Sequence, residues 1–271
     1  MDLKQVELPH KDGKHLYGDD FSLEQIALWY EQEKHGYYNL VQETHEYESG
    51  YQYEALNRLH GLNLLAREAS GTCLAFGCAR GDDVLPLAKA VRQFIAVEPA
   101  AEWWADKIGG VPARYMAPAI DGTLALDSNT IDMAVCLGVL HHIPNVSFVL
   151  QEICRVLKPG ALLVIREPIS SMGDWRQPRE GLTANERGLP VQWTDELIDR
   201  LGLKVIRRRF CMFSPLRVIL LKCGFKRLWA STPVVWIDWL LSSLMSFNVR
   251  YYRDTFWKKC AASSVFYVLQ K

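Results

Sequence analysis

Hydrophobic residues in this chain follow two patterns, and the pattern changes near residue 70. Leu23 to Lys34 and Tyr53 to Ala66 carry apolar residues among polar ones in stretches of helical length, and each predicts a helix. A regular succession then begins. Thr72–Phe76, Gln93–Val97, Ile131–Leu137 and Ala161–Ile165 are short apolar runs that predict strands. Asp83–Val91 and Val146–Leu157 between them read as helices, the second broken by Lys158-Pro159-Gly160. Short apolar runs separated by helix-length segments predict βαβ units, an α/β fold whose parallel sheet is covered on both faces. Ligands of such sheets bind beyond the carboxyl ends of the strands. That places Gly77–Gly81, Glu98, Gly138–His142 and Arg166–Pro168 at the candidate site.

After Arg166 the alternation loosens. Pro168–Val191, with much Gly, Pro, Arg and Ser, reads as a long loop, and Thr194–Leu201 as a helix with an acidic first turn. Val205–Phe210 and Ser264–Leu269 are strand-like, and residues 212–262 between them form an insertion rich in Leu, Trp and basic residues. Residues 1–66 are polar and aromatic, with Tyr30, Tyr37, Tyr38, Tyr47, Tyr51 and Tyr53, and are expected to form a helical lid over a single domain at 67–271.

Composition narrows the function. The 271 residues include 31 Lys and Arg against 31 Asp and Glu, a net charge of zero, so the chain lacks the basic footprint of a nucleic-acid binder. At 49% hydrophobic and 23% charged residues it can bury a core, which excludes wholesale disorder. Seven scattered cysteines include no C-x-x-C pair, so neither a zinc ribbon nor a redox motif is present and no metal ligand set is expected. The polar start MDLKQVELPHKDGKH has no apolar signal segment, and a reducing, cytoplasmic setting is the expectation.

The turn Phe76-Gly77-Cys78-Ala79-Arg80-Gly81 follows a predicted strand and precedes a predicted helix. Glycines there let backbone N–H groups approach a ligand, and a helix N-terminus favours an anion. Glu98-Pro99 ends the next strand about twenty residues on, where a carboxylate can accept both hydroxyls of a ribose. The spacing lacks the third glycine of a dinucleotide fingerprint, so a nicotinamide oxidoreductase is disfavoured. Cys73-Leu74-Ala75-Phe76-Gly77-Cys78-Ala79-Arg80-Gly81 resembles the first motif of the class I S-adenosylmethionine-dependent methyltransferases. Ile131–Val135 with Gly138-Val139-Leu140-His141-His142-Ile143-Pro144 resembles that family's fourth-strand segment, and Glu152–Ala161 its helix and turn before the fifth strand.

The resemblance implies a Rossmann-like, mostly parallel sheet closed by an antiparallel last strand, with the insertion on the ligand side. It implies S-adenosylmethionine as cofactor: Phe76 to Gly81 around the methionine end, Glu98 and Pro99 at the ribose, Asp121 toward the adenine, and Leu137 and Gly138 beside them. Three departures stand out. Ala75 replaces an acidic residue, Ala79 replaces the middle glycine, and residues 117–125 lack a clean Gly-Asp-Ala.

A small-molecule acceptor is expected, methylated at an oxygen of a saccharide or lipid-linked intermediate. His141 and His142 stand at the ligand edge as a general base or pocket lining; a helix start satisfied by backbone contacts is the bland alternative. Arg166 either pairs with Glu167 or meets an anionic acceptor, and Arg176, Arg179, Glu186 and Arg187 either bind an anion or form a solvated loop. Leu228–Val249 carries one charge, Asp238, and has basic flanks; pocket cover, interfacial membrane contact and a membrane span are all open. A non-catalytic binding or scaffold protein on the same fold is the competing hypothesis, motivated by Ala75 and Ala79.

Overall fold

The computed structural model describes residues 12–34, 36, 39, 50–68, 71–173, 179 and 181–271. Tyr37, Tyr38, Tyr47 and Arg176 lie outside the described residues. The described strands are β1 (Thr72–Phe76), β2 (Gln93–Val97), β3 (Lys107–Ile108), β4 (Val111–Met116), β5 (Ile131–Leu137), β6 (Leu157–Pro168), β7 (Lys204–Phe213) and β8 (Ala262–Gln270). They form one sheet in the order β3-β4-β2-β1-β5-β6-β8-β7. Pairing is parallel from β4 through β2, β1 and β5 to β6, and β8 runs antiparallel to both β6 and β7. The mostly parallel sheet with an antiparallel last strand is therefore as expected.

Side-chain alternation explains why the strands read as continuous apolar runs. Leu74 and Phe76 of β1 point into one core cluster, together with Val149, Leu150 and Ile153 of helix α3 (Val146–Val156). Cys73 and Ala75 point the other way, against Leu62 and Leu65 of helix α2. That helix comprises Glu54–Asn57, a π-helical turn Arg58–Leu62 and Asn63–Glu68. Helix α1 (Leu23–Glu33) opens with a capping box between Ser22 and Gln25. Its buried Trp29 donates Nε1–H to the carbonyl of His142 at 2.7 Å, so the N-terminal segment is clamped to the exit of β5.

Several elements differ from expectation. Asp83–Val91 is not an α-helix but a 3₁₀ helix at Asp82–Leu87, because Pro86 lies inside it and cannot donate to an α-helical ladder. Strand β4 was not anticipated; Pro112 and Arg114 blur the pattern of a strand only partly buried. Lys158-Pro159-Gly160 does not separate helix from strand: β6 begins at Leu157 and absorbs the break as a register shift opposite Ile131 and Met133. Helix α4 (Val191–Arg200) starts three residues before Thr194, so its first turn holds no acid; Asp195 instead pairs with Arg208 and accepts the Tyr267 hydroxyl.

The insertion folds into helices α5 (Ser214–Lys222), α6 (Thr232–Leu244) and α7 (Phe256–Lys259). Asp238, central in α6, is fully buried, and its two carboxylate oxygens accept the backbone N–H groups of Met212 and Phe213 at 2.8 and 2.6 Å. Burial pushes its pKa up to about 6, although these two bonds oppose the shift. Among the described residues no helix is long and apolar enough to cross a membrane. The 13 residues of α6 rise only about 20 Å, short of a hydrocarbon core of about 30 Å.

Candidate active site

A cavity of about 640 Å3 opens at the carboxyl ends of the parallel strands, a size typical of ligand pockets. Phe76, Gly77, Cys78, Ala79, Glu98, Pro99, Leu137, Gly138, His141 and His142 all line it. Arg80, Gly81 and Asp121 do not. Arg80 pairs with Asp82 at 2.6 Å, and the Asp121 carboxylate accepts the N–H and hydroxyl of Thr123 at 2.9 Å each, leaving Pro118, Ala119, Ile120 and Gly122 at the wall.

The glycine turn is held from beneath. Gly77 and Gly81 have φ of 64° and 92°, and a Cβ on either would stand 2.3 Å from Val139 or 2.7 Å from Ile108. Ala79 also adopts a left-handed φ, 46°, at a position where a side chain costs about 1–2 kcal/mol. Its N–H donates to Glu98 at 2.9 Å, the Ala100 N–H donates to the other carboxylate oxygen at 3.0 Å, and the Tyr115 hydroxyl donates to the Ala79 carbonyl at 3.0 Å. Each Glu98 oxygen keeps a further lone pair, so the carboxylate can pin the turn and still accept ligand hydroxyls. Burial raises its pKa despite those two N–H groups. Cys78 is no nucleophile, since burial pushes its thiol up to about 12. Ala75 does not line the cavity; it sits fully buried in the apolar cluster beneath.

Arg166 and Glu167 do not pair with each other. Arg166, buried at the cavity wall, donates to Asn57 Oδ1 at 3.0 Å and lies 4.1 Å from the centroid of the Tyr53 ring. Among the described residues it has no carboxylate partner. Tyr51 and Tyr53 from the N-terminal segment both line the cavity.

A second cluster borders the same cavity, assembled from residues far apart in the sequence. His141 Nδ1 is 2.7 Å from Glu167 and its Nε2 3.2 Å from Glu186 Oε1. His142 Nδ1 is 3.0 Å from Glu33 and its Nε2 3.4 Å from the same Glu186 oxygen. Burial alone would lower the His141 pKa, but hydrogen bonds to Glu167 and Glu186 raise it to about 9. Burial would likewise raise Glu186 and Glu33, yet both are held below the ordinary range, Glu186 by His141 and His142, Glu33 by His142, Thr183 and Asn185. Arg187, with no exposed surface, clamps the segment by donating to the carbonyls of Tyr17, His141 and Pro144 at 2.9–3.0 Å. Residues 186–190 thus form a buried strut rather than a solvated connection. Glu33 and Glu167 escaped the sequence reading as partners because they lie 109 and 26 residues from the histidines they meet.

Residues 74–165 match the methyltransferase-domain family. That stretch of the chain resembles a methyltransferase domain. The cofactor that this domain implies is S-adenosylmethionine, and the glycine turn, the Glu98 carboxylate and the uncompensated Arg166 fit it. The chain is 32% identical over 126 residues to a sterol 4-C-methyltransferase of Caenorhabditis elegans, a match covering 44% of this chain and 38% of that protein. It spans at most 40% of the length of the curated relatives it matches. Among solved structures, the [4+2]-cyclase SpnF shares the fold with a TM-score of 0.54, 16% identity, and coverage of 93% of this chain and 97% of that one. An S-adenosylmethionine-dependent methyltransferase from Mesorhizobium loti does so with a TM-score of 0.53, 13% identity, and coverage of 79% and 98%.

Proposed function

We propose that this protein transfers a methyl group from S-adenosylmethionine to an oxygen of an amphipathic small molecule, a saccharide or lipid-linked intermediate. One observation carries this: the glycine turn with Glu98 and the His141–His142–Glu186 cluster border the same cavity. In this reading Glu98 accepts the ribose hydroxyls and the Gly77–Ala79 backbone lies along the methionine end, whose carboxylate meets Arg166. The bound cofactor supplies an electrophilic methyl on a cationic sulfur. The protein then has to orient the acceptor and keep out water, and good positioning is worth on the order of 7–11 kcal/mol. A hydroxyl acceptor must also part with its proton, and the reacting oxygen is assigned to the His141–His142–Glu186 end.

The insertion supports an amphipathic acceptor. Arg217, Leu221, Lys226 and Trp229 line the cavity, while Val218, Ile219 and Phe225 beside them are each more than half exposed. Residues 214–260 carry eight Lys and Arg against two Asp, one of them the buried Asp238. An apolar face with a basic surround suits the surface of an anionic membrane, and residues 228–249 with their neighbours are proposed to rest there.

A second reading keeps the fold and abandons methyl transfer. It is favoured by the apolar setting of Ala75 and by the likeness to a protein named as a cyclase. Calorimetric titration with S-adenosylmethionine, repeated on Glu98→Ala, separates the two. Micromolar binding weakened tenfold or more by the substitution supports methyl transfer, and the absence of binding to the native protein sinks it.

A further inference from the structure

The geometry points to a divalent-cation site, of the zinc class, formed by His141, His142 and Glu186. One donor atom from each of these residues lies within 4.8 Å of the others. Both Nε2 atoms face a single oxygen, Glu186 Oε1, at 3.2 and 3.4 Å. Ligands bound at about 2.0–2.2 Å in a tetrahedron stand roughly 3.4 Å apart, so two of the three edges already have the required length.

The outer shell is what separates this cluster from an ordinary hydrogen-bond network. A metal-binding imidazole usually donates its other ring N–H to a carboxylate or carbonyl, which fixes the tautomer and turns the free lone pair toward the cation. Here both rings are held that way, His141 Nδ1 by Glu167 and His142 Nδ1 by Glu33. Those carboxylates are themselves anchored. Glu167 accepts the N–H groups of Val139 and Leu140 at 2.9 and 2.8 Å, and Glu33 accepts the Thr183 hydroxyl at 2.6 Å and the Asn185 N–H at 2.8 Å. Glu186 Oε2 accepts the Thr183 N–H at 3.0 Å, which leaves Oε1 for the shared point.

Charge supports the same assignment. Glu33, Glu167 and Glu186 surround two imidazoles, and with both rings protonated the Arg187 guanidinium, whose charge acts on Glu33 and Glu167, brings the group to neutrality. A divalent cation between neutral rings gives the same total charge with fixed geometry. Two imidazoles and one carboxylate are a borderline-soft donor set that suits zinc or cobalt(II) better than magnesium or calcium. All three ligands border the cavity, so three protein ligands leave an open position toward it, the arrangement of catalytic rather than structural zinc. A cation there lowers the pKa of a hydroxyl placed against it, which would answer the acceptor's need to lose a proton. That last role rests on the methyl-transfer proposal; the binding itself does not.

The test is titration of the tag-free, chelator-stripped full chain with cobalt(II), followed by its visible absorption, and with zinc, followed by calorimetry. One equivalent is expected to bind, to raise the melting temperature and to compete with the other metal. Glu186→Gln is expected to weaken binding at least tenfold, and so is Glu33→Gln, which removes no ligand but releases the His142 ring. Thermal melts of the metal-free variants show that each folds. Absence of saturable one-to-one binding overturns the site, as does binding that both variants leave unchanged. Because S-adenosylmethionine binding is measured separately, cofactor binding without cation binding defeats this inference alone. Cation binding without cofactor binding defeats the methyl-transfer proposal alone.

Discussion

The two ends of the cavity are built by different means. At the glycine turn the wall is mostly backbone from one short stretch, Gly77 to Ala79, pinned by a carboxylate nineteen residues on. At the histidine end the wall is side chain, drawn from α1, the exit of β5, the end of β6 and the loop before α4, with partners up to 152 residues apart. A site made of backbone tolerates side-chain change but not added volume. A site made of converging side chains tolerates neither a lost anchor nor a lost charge.

Removing an anchor should break the histidine end most severely. Arg187→Ala removes the guanidinium bonds to the carbonyls of Tyr17, His141 and Pro144, the last two of which keep a backbone N–H partner, and uncovers the Trp29 ring, which the guanidinium approaches to 5.0 Å. At about 1.5 kcal/mol or more for each bond to a charged donor, the loss is expected to be about 4 kcal/mol or more, measured by chemical denaturation. Arg187→Lys should recover little, because one ammonium cannot span three carbonyls. A loss below about 1 kcal/mol would mean that the histidine end does not depend on this strut.

The two ends meet at Gly77, whose missing side chain makes room for Val139. Gly77→Ala adds overpacking of about 1–3 kcal/mol and a left-handed alanine at about 1 kcal/mol, so a loss of about 2–4 kcal/mol is expected. The double variant Gly77→Ala/Val139→Ala should recover the steric part and leave the backbone part. Independent, additive losses in that double-mutant cycle would show that the two ends are not in contact.

One end of the cavity is legible in the sequence and the other is not. The glycine turn, Glu98 and the strands β1, β2, β5 and β6 are written in local spacing, whereas the antiparallel pair that closes the sheet is implied by the family resemblance. His141 and His142 were visible as residues at the correct edge, but Glu33 and Glu167 had no signal that tied them to those rings. Asp121 was placed toward the adenine by its position alone, whereas its carboxylate is taken up within its own turn by Thr123. Asp238 stands in the sequence only as the one charge of an apolar stretch, because a sequence cannot display the two backbone N–H groups that converge on it.

The third wall of the cavity, contributed by the insertion, repeats a device found at both ends. Glu98, Glu167 and Asp238 are each buried and each accept backbone N–H groups from a turn or a strand end at the cavity or beside it. Burial raises the Asp238 pKa to about 6, the same direction as at Glu98. A carboxyl whose pKa is raised on folding contributes stability that is complete below its unfolded pKa near 4 and is lost as pH rises through 6. Relative to Asp238→Asn, the native protein should therefore gain about 1 kcal/mol between pH 7 and pH 5. Denaturation midpoints of both proteins at the two pH values supply the difference, and a gap that shrinks toward pH 5 would show that the ionised carboxylate is the stabilising form.

The smallest effect on stability should come from the most exposed part of that wall. Phe256 and Trp257 are each 74% exposed, so the double substitution Phe256→Ser/Trp257→Ser leaves little packing to lose, and a change within about 0.5 kcal/mol is expected. Large apolar side chains left in water on a basic segment serve no purpose in the isolated fold. Seated in an interface, each would contribute roughly 1.5–3 kcal/mol. Cosedimentation with vesicles containing phosphatidylserine should thus fall at least tenfold in the double variant and weaken with added salt in the native protein. If vesicle binding is unchanged while the native protein sediments as a dimer and the variant as a monomer, the face joins two copies, and the membrane assignment of the insertion falls.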